Sequence, residues 1–294
     1  MALISASTEL DGSASLWRYM SLDKFVDLLS TSELHFAPLA SFMKSDPFEG
    51  YLPAVALEAD AAIFRPHIKD SELAFQLVEE HRKNIGHEVT SEERALFERQ
   101  LNDLKAAPQI YRTAIAKAIC VNCWHMNKAE SEAMWRLYGD GGKGIAVETT
   151  FDALKKSIQA CESAFRVHIY PVKYLDFFDD SLTPADCVVE GQRAPFLKRV
   201  SYEHEHEIRA SVLCVPETAR KALDLESWKP APVRLPIKLD RLIKAVHVSP
   251  YAAEPFPSSV SKICEKFCLP GGIVRPSRLL SGHEELLARA FVSD

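Results

Sequence analysis

The chain has 294 residues, of which 47% are hydrophobic and 26% are charged. These proportions are typical of an ordinary globular protein and exclude a collagen-like, coiled-coil or largely disordered chain. The formal net charge of −6 argues against a strongly basic surface made for DNA or for an anionic membrane.

The sequence carries no sign of export or of membrane insertion. No run of about 18 apolar residues occurs, so no membrane-spanning helix is predicted. The N-terminal segment lacks a basic start followed by an apolar stretch, so no secretory signal is predicted either. The seven cysteines are then expected to be reduced thiols. We therefore expect a cytoplasmic protein with no membrane partner.

Strands and helices are predicted to follow one another irregularly along the chain. The predicted strands are 15–20, 33–37, 118–124, 144–148, 165–174, 208–215, 237–239 and 243–248. The predicted helices are one that Ser21 caps, then 130–138, 151–158, 184–200 and 258–267. Such an order is typical of an α+β fold and not of a doubly wound parallel sheet. We predict a mixed or antiparallel sheet core with peripheral helices, in one domain over residues 1–294.

Residues from about 54 to 118 are mostly helical in pattern and highly charged. Thr90 and Glu93 have the spacing of a capping box, which marks the start of one of these helices. We predict a helical insertion that covers one side of the domain. A separate small helical domain is the alternative.

Residues 202–212 hold an alternating run of charged and apolar side chains. From His206 onward the apolar positions share one face of a predicted strand, while the other face carries Glu205, Glu207, Arg209 and Ser211. Neighbouring carboxylates raise one another's pKa and an arginine lowers it, which is common where acid–base chemistry occurs. The alternative is a solvated edge strand whose Glu and Arg side chains form surface ion pairs.

Metal and phosphate motifs are weak in this sequence. The candidates for metal ligation are His204 with His206, Cys120 and Cys123 near His125, and Cys264 with Cys268. None has the spacing of a zinc site, so buried thiols and no bound metal are expected. The glycine-rich segment 139–144 follows a helix and precedes a strand, the reverse of a phosphate-binding loop. It is expected to end the helix and form a tight turn.

Two features allow either core packing or ligand binding. Trp135 and Tyr138 lie three residues apart on one predicted helix, so they share a face. They either pack in the core or form an aromatic wall on which a base or a nicotinamide ring stacks. Arg18 shares a strand face with Leu16 and Met20, where a cation needs a carboxylate or a ligand phosphate.

Six short motifs occur in a characteristic order between residues 15 and 250. They are Trp17-Arg18-Tyr19, Ser45-Asp46-Pro47-Phe48-Glu49, Met134-Trp135-Arg136-Leu137-Tyr138-Gly139, Lys143-Gly144-Ile145, Phe196-Leu197-Lys198 and Tyr202-Glu203-His204-Glu205-His206-Glu207-Ile208-Arg209. Together they resemble the bacterial and phage family known as domain of unknown function 2971. Ser45 replaces the usual asparagine of that family, and Tyr202 replaces the usual tryptophan.

The layout of this family is remotely similar to the ADP-ribosyltransferase fold, which implies NAD as a substrate. In that resemblance Arg18 holds the ribose or phosphate of NAD, and Trp135 or Tyr138 stacks on nicotinamide. Glu207, preceded by Glu205, is the implied catalytic residue. Tyr19 and Arg209 complete the NAD-binding residues that we predict.

Three hypotheses of function follow. The leading one is an ADP-ribosyltransferase-like enzyme that cleaves the nicotinamide–ribose bond of NAD and acts on an unknown protein or nucleic-acid acceptor. The resemblance also implies a role in phage defence. The second is a non-catalytic sensor domain that binds a nucleotide or a partner protein. The third is a metal-dependent nuclease or hydrolase that uses Asp46, Glu49, Glu205 and Glu207.

Overall fold

A ten-stranded mixed sheet forms the centre of the computed structural model, which describes residues 2–214 and 229–280. The strands of the chain are β1 Leu3–Ala6, β2 Ser15–Ser21, β3 Glu33–Pro38, β4 Ile119–Met126, β5 Gly144–Thr150, β6 Arg166–Pro171, β7 Lys173–Leu175, β8 Leu197–Arg199, β9 Glu207–Leu213, β10 Val233–Pro236, β11 Ala245–Val248 and β12 Val274–Pro276. The main path of the sheet is β1-β6-β9-β4-β2-β5-β11-β12, while β3 pairs with β4 and with β10. Strands β7 and β8 form a separate two-stranded sheet.

Helices surround this sheet and lie mostly between its strands in sequence. They are α1 Leu22–Thr31, α2 Ala54–Asn84, α3 Ser91–Ala118, α4 Glu132–Tyr138, α5 Phe151–Gln159, α6 Leu239–Leu242 and α7 Phe256–Lys266. The sheet contains parallel pairs, such as β1 with β6, and antiparallel pairs, such as β4 with β9. The prediction of an α+β fold with a mixed sheet is confirmed. The prediction of a single domain stays a prediction.

The charged segment predicted as helical consists of α2 and α3. The two helices run antiparallel, since ion pairs join Glu72 to Lys105 and Glu79 to Arg94. At the start of α3, Thr90 accepts a hydrogen bond from the amide of Glu93, whose carboxylate accepts one from the amide of Thr90. The predicted capping box is therefore confirmed.

The large apolar core lies on one face of the sheet. Ile208, Ala210 and Val212 of β9 contribute to it, as their alternation predicts. The other face of β9 is also buried. In the plane of the sheet, β9 pairs with β4 on one side and with β6 on the other. The alternative of a solvated edge strand is therefore wrong, since β9 is an interior strand of the sheet.

Several predicted elements differ from the structure. Residues 184–200 form turns, a short 3-10 helix at Ala194–Phe196 and strand β8. Prolines at 184 and 195 and Gly191 interrupt the predicted helix, since proline lacks the amide that a helix interior needs. The strand predicted at 237–239 lies instead at β10, and α6 begins at Leu239. Residues 165–174 form two strands rather than one, and the predicted strand end at 215 lies outside the described residues.

Candidate functional site

A buried group of charged side chains lies on the sheet face opposite the large apolar core. It consists of Glu49, Lys198, Glu205, Glu207 and Arg209, which we call the ion cluster. Each member is less than a tenth exposed. The loop before α2 supplies Glu49, β8 supplies Lys198, and β9 supplies Glu207 and Arg209. Three carboxylates meet two cations, so the formal charge of the cluster is negative.

Arg209 is the centre of the inner part of the ion cluster. Its Nε lies 2.9 Å from Oε1 of Glu207, and its Nη2 lies 3.0 Å from Oε2 of the same carboxylate. Its Nη1 and Nη2 donate to Glu49 at 2.7 and 3.1 Å, and Nη1 also donates to the carbonyl of Pro195. The prediction that Arg209 binds NAD is therefore wrong, because buried protein groups already engage its guanidinium donors.

Glu207 is held in its ionised form. Burial raises the pKa of a carboxyl, but the charges of Arg209 and Lys198 outweigh burial and lower the pKa of Glu207 to about 2. The backbone amide of Glu207 donates to the hydroxyl of Tyr174 at 2.9 Å. The Cys123 thiol is hydrogen-bonded to Glu207, and its own pKa is raised, first by burial and then by that carboxylate. Glu207 therefore lies inside the network and not at its surface.

Glu205 forms the outer part of the ion cluster. Its Oε1 accepts a hydrogen bond from the Tyr138 hydroxyl at 3.0 Å, and its Oε2 contacts the ammonium of Lys198. Lys198 also lies 3.5 Å from Oε2 of Glu207 and 4.7 Å from the ring centre of Tyr202. Tyr138 is 44% exposed. The ion cluster therefore meets the surface beside Tyr138 and Glu205.

Glu205 lies on a turn whose backbone is strained. This residue ends a 3-10 helix at Val200–Glu205 rather than lying in β9, and His206 follows in the left-handed conformation with φ of 40°. Strand β4 holds the turn, because Nδ1 of His125 lies 2.6 Å from the Glu205 carbonyl and the Met126 amide donates to the His206 carbonyl. A non-glycine residue with positive φ persists only where such contacts stabilise it.

The tautomer of His125 follows from these contacts. A carbonyl oxygen only accepts hydrogen bonds, so Nδ1 of His125 carries the proton and Nε2 is an acceptor. Nε2 is buried and has no hydrogen-bond partner among the described residues. Burial is the main cause that lowers the pKa of His125, so the imidazole is neutral near pH 7.

Arg18 does not join the ion cluster. Trp17 is the register partner of His125, which is in turn the partner of Glu207, so these three side chains share one face of the sheet. Arg18 follows Trp17 and projects to the opposite face, where its guanidinium lies 5.9 Å from the Trp124 ring. Arg18 therefore does not share a face of the sheet with Glu207.

Trp135 and Tyr19 are core residues rather than a ligand-binding wall. Trp135 is 1% exposed, and its indole nitrogen donates to Glu130 at 2.9 Å. Tyr19 packs edge to face on Trp135, and its hydroxyl accepts from the Ser131 amide. Neither ring has a free face for nicotinamide, so the alternative of core packing fits them. Among the aromatic residues predicted to bind NAD, Tyr138 is the one with an exposed ring.

Comparison with known proteins matches part of the chain to one family model. Residues 134–210 match the model of the family described as Protein of unknown function (DUF2971). The predicted DUF2971 family is confirmed. No curated protein and no solved structure gives a significant match. The resemblance to ADP-ribosyltransferases stays a prediction.

The structure brings several of the quoted DUF2971 motifs together around the ion cluster. The loop motif supplies Glu49 to Arg209, and it also supplies Asp46, whose carboxylate lies 2.6 Å from Arg199. The match over 134–210 includes Tyr138, Lys198 and the Glu205–Glu207 pair, while the loop motif precedes it.

Three residues of this site were not identified from the sequence as candidates for NAD binding. Glu49 was considered as a metal ligand and as part of a motif, His125 only beside two cysteines, and Lys198 only as part of a motif. The order of the motifs was the available signal for Glu49 and Lys198. Nothing local joins His125 to Glu205, because their contact depends on how β4 pairs with β9.

Two further findings concern the described residues as a whole. Within 2–214 and 229–280, no three or more histidine, cysteine or acidic side chains are grouped so that they could hold a metal ion. Over the same ranges, no helix has both the length and the apolar character needed to cross a membrane.

Proposed function

We propose that this protein is an ADP-ribosyltransferase-like enzyme that cleaves the nicotinamide–ribose bond of NAD, and that Glu205 rather than Glu207 faces the substrate. One observation carries the proposal. The Glu205 carboxylate bridges the hydroxyl of the half-exposed Tyr138 and the ammonium of Lys198, at the surface end of the ion cluster. A carboxylate and an exposed ring thus lie side by side.

The chemistry of the reaction suits this pair. When the bond between nicotinamide and ribose breaks, its electron pair stays with nicotinamide and positive charge develops on the ribose, as in glycoside cleavage. A fixed carboxylate beside the ribose stabilises that charge more strongly than water does. The exposed ring of Tyr138 offers a stacking face for nicotinamide. A nucleophile of the acceptor, which is a protein or a nucleic acid, then bonds to the ribose carbon and releases its proton to solvent.

The inner ion cluster has a positioning role in this proposal. Glu207 is bound through both oxygens to Arg209, and it also lies 3.5 Å from Lys198. Lys198 therefore has a fixed counter-charge and holds the carboxylate of Glu205 in place. Such prearranged charges need little reorganisation when charge develops on a substrate.

The test is the release of nicotinamide from NAD, followed by chromatography, for the purified wild type and for Glu205→Gln. We expect the substitution to lower kcat by about 100-fold or more, which is typical for the loss of one group that stabilises the transition state. Glu203→Gln is the matched control, because Glu203 is exposed and lies two residues earlier on the same turn. Wild-type protein that releases no nicotinamide, or Glu205→Gln with full activity, would overturn the proposal.

A second candidate is a nucleotide- or partner-binding module without catalysis. The observation that favours it is the internal pairing of the ion cluster, since Arg209 and Lys198 already engage its three carboxylates. Saturable binding of NAD with no nicotinamide release, in the same assay, would select this candidate. The described residues give no support to the metal-dependent hydrolase, because Arg209 and Lys198 engage Glu49, Glu205 and Glu207. The fourth carboxylate, Asp46, is engaged by Arg199.

A further inference from the structure

The helical hairpin of α2 and α3 extends away from the rest of the protein. Contacts at its base fix it in place, since Asp60 pairs with Arg193 and Gln109 donates a hydrogen bond to the Tyr51 hydroxyl. From residue 57 to residue 113, no described side chain is buried. The two helices therefore pack on each other and leave their remaining faces to solvent.

One seam joins the two helices. Phe75 of α2 lies in it and stacks on Phe97 of α3, with the ring centres 3.9 Å apart. A residue two positions from Phe75 is rotated by about 200° around the helix axis. Leu73 and Leu77 therefore project away from α3, and they are 54% and 57% exposed.

Apolar residues continue along this outer side of α2. Ile63 is 64% exposed and lies about 40° from Leu77 around the axis. Ile85, which directly follows the helix, is 57% exposed. We call the residues of 59–77 that lie within about 60° of Leu77 the outer stripe. They are Ala59, Ala62, Ile63, Pro66, Asp70, Leu73, Ala74 and Leu77.

The outer stripe has the character of a binding surface. Single apolar residues on a surface are ordinary, but large ones aligned at helical spacing are typical of a face that packs on another element. A helix gains most of its stability from the packing of such a face. Within the described residues, the outer stripe has no such packing partner.

The stripe is complementary to an antiparallel copy of itself. A two-fold axis beside residues 74 and 75 places Leu73 of one copy opposite Leu77 of the other. The same axis places Ile63 of one copy opposite Ile85 of the other. One arrangement therefore covers the large exposed apolar residues of the stripe in both copies.

The charges beside the stripe favour the same arrangement. On one flank the nearest charged residues are Lys69 and Glu80, at about 80° and 60° from Leu77. The two-fold axis brings Lys69 of each copy beside Glu80 of the other. A parallel copy places Lys69 beside Lys69 and Glu80 beside Glu80, which is unfavourable. Charge complementarity therefore selects the antiparallel orientation.

The area of this contact is that of a specific interface. The overlap from Ile63 to Ile85 is about 35 Å long. A helix about 11 Å in diameter that turns half its surface toward a partner buries about 600 Å² over this length. Two copies then bury about 1,200 Å² in total, which reaches the range of stable protein–protein interfaces.

We propose that the outer stripe is a dimerisation surface, on which α2 of a second copy of this chain packs antiparallel. The contact is isologous, because the same surface of each copy forms it. This inference is independent of the function proposed above, since no residue of the ion cluster belongs to α2 or α3.

The test is the mass of the full chain in solution, from sedimentation equilibrium at concentrations up to about 100 µM. Wild type is expected to approach twice the chain mass of 32.9 kDa. The double variant Leu73→Glu with Leu77→Glu should raise the dimer dissociation constant at least about 100-fold, because it places four carboxylates in the apolar contact. Leu96→Glu is the matched control and should dimerise as wild type does, because Leu96 is an exposed leucine of α3.

A charge swap tests the orientation of the two copies. Lys69→Glu should weaken the dimer about tenfold, and adding Glu80→Lys should restore the wild-type dissociation constant. Circular dichroism verifies that each variant keeps its helices, and the charge swap replaces the leucine variant if that variant does not fold.

Three outcomes would overturn the proposal. A wild type that stays monomeric at about 100 µM would leave the stripe to a partner of another sequence. A double leucine variant that folds and dimerises as tightly as wild type would place the contact elsewhere. Failure of Glu80→Lys to rescue Lys69→Glu would contradict the antiparallel contact.

Discussion

Glu49 and Arg209 form a bidentate ion pair across 160 residues of sequence, with N–O distances of 2.7 and 3.1 Å. Both side chains are 2% exposed. The pair ties the loop before α2 to the middle of β9, which is the interior strand that carries Glu207. One arginine thus links the segment that precedes the helical hairpin to the candidate site.

Replacement of Arg209 by methionine is expected to destabilise the protein strongly. Methionine leaves Glu49 and Glu207 buried without their cation, and loss of one partner from a buried pair costs about 3 to 5 kcal/mol. Urea unfolding measures the change. Arg234→Met, which removes an exposed ion pair, should cost at most about 1 kcal/mol. Equal losses for the two variants would contradict the structural role of Arg209.

The stability of the protein is expected to fall in acid partly through Glu207. The folded pKa of about 2 is below the ordinary value of 4.5, so the stabilisation is present above pH 4.5 and is lost as the pH falls toward 2. The shift corresponds to about 3 kcal/mol. Urea unfolding at pH 5 and pH 2.5 should show a smaller loss for Glu207→Gln than for wild type. Glu203→Gln should behave as wild type, and parallel losses in all three proteins would refute the assignment.

His125 is expected to hold the turn that presents Glu205 through the hydrogen of its Nδ1. Asparagine places an N–H donor near the Nδ1 position, whereas glutamine places one near Nε2. His125→Asn should therefore keep the Tm within a few degrees of wild type, and His125→Gln should lower it further, because the Glu205 carbonyl loses its donor. If Gln substitutes better than Asn, the buried Nε2 rather than Nδ1 makes the important contact.

The capping box of α3 predicts a local effect. Thr90→Ala removes the side-chain acceptor for the amide of Glu93 and is expected to cost about 1 kcal/mol. Hydrogen exchange should accelerate about five-fold at the first amides of α3. Ser71→Ala is the control, because the Ser71 hydroxyl only donates to a carbonyl one turn earlier within α2. Faster exchange in both variants alike would argue against a specific capping role.

Local patterns predicted much of the fold. The alternation of Ile208, Ala210 and Val212 marked the apolar face of β9, and Thr90 with Glu93 marked the start of α3. Such signals depend on periodicity and capping within a few residues, so one sequence suffices to detect them. The prediction failed at 184–200, where helical spacing competes with two prolines and a glycine.

The candidate site was predicted less completely. Glu205 and Glu207 were treated as one strand face, yet His206 adopts a left-handed conformation that puts Glu205 on the preceding turn. No local pattern indicates this conformation, because contacts from His125 and Met126 of a distant strand stabilise it. Likewise, Arg209 was expected to bind a ligand, and no local pattern indicates its partner Glu49, which is 160 residues away in sequence.

The sequence by itself determined the α+β class and the resemblance to DUF2971. The tertiary structure decided which face each charge occupies and which partner it has. Register between β2, β4 and β9 places Glu207 on one side of the sheet and Arg18 on the other. Side chains alternate along each strand, so a face is assigned only when distant strands pair, and that pairing depends on the packing of the whole core.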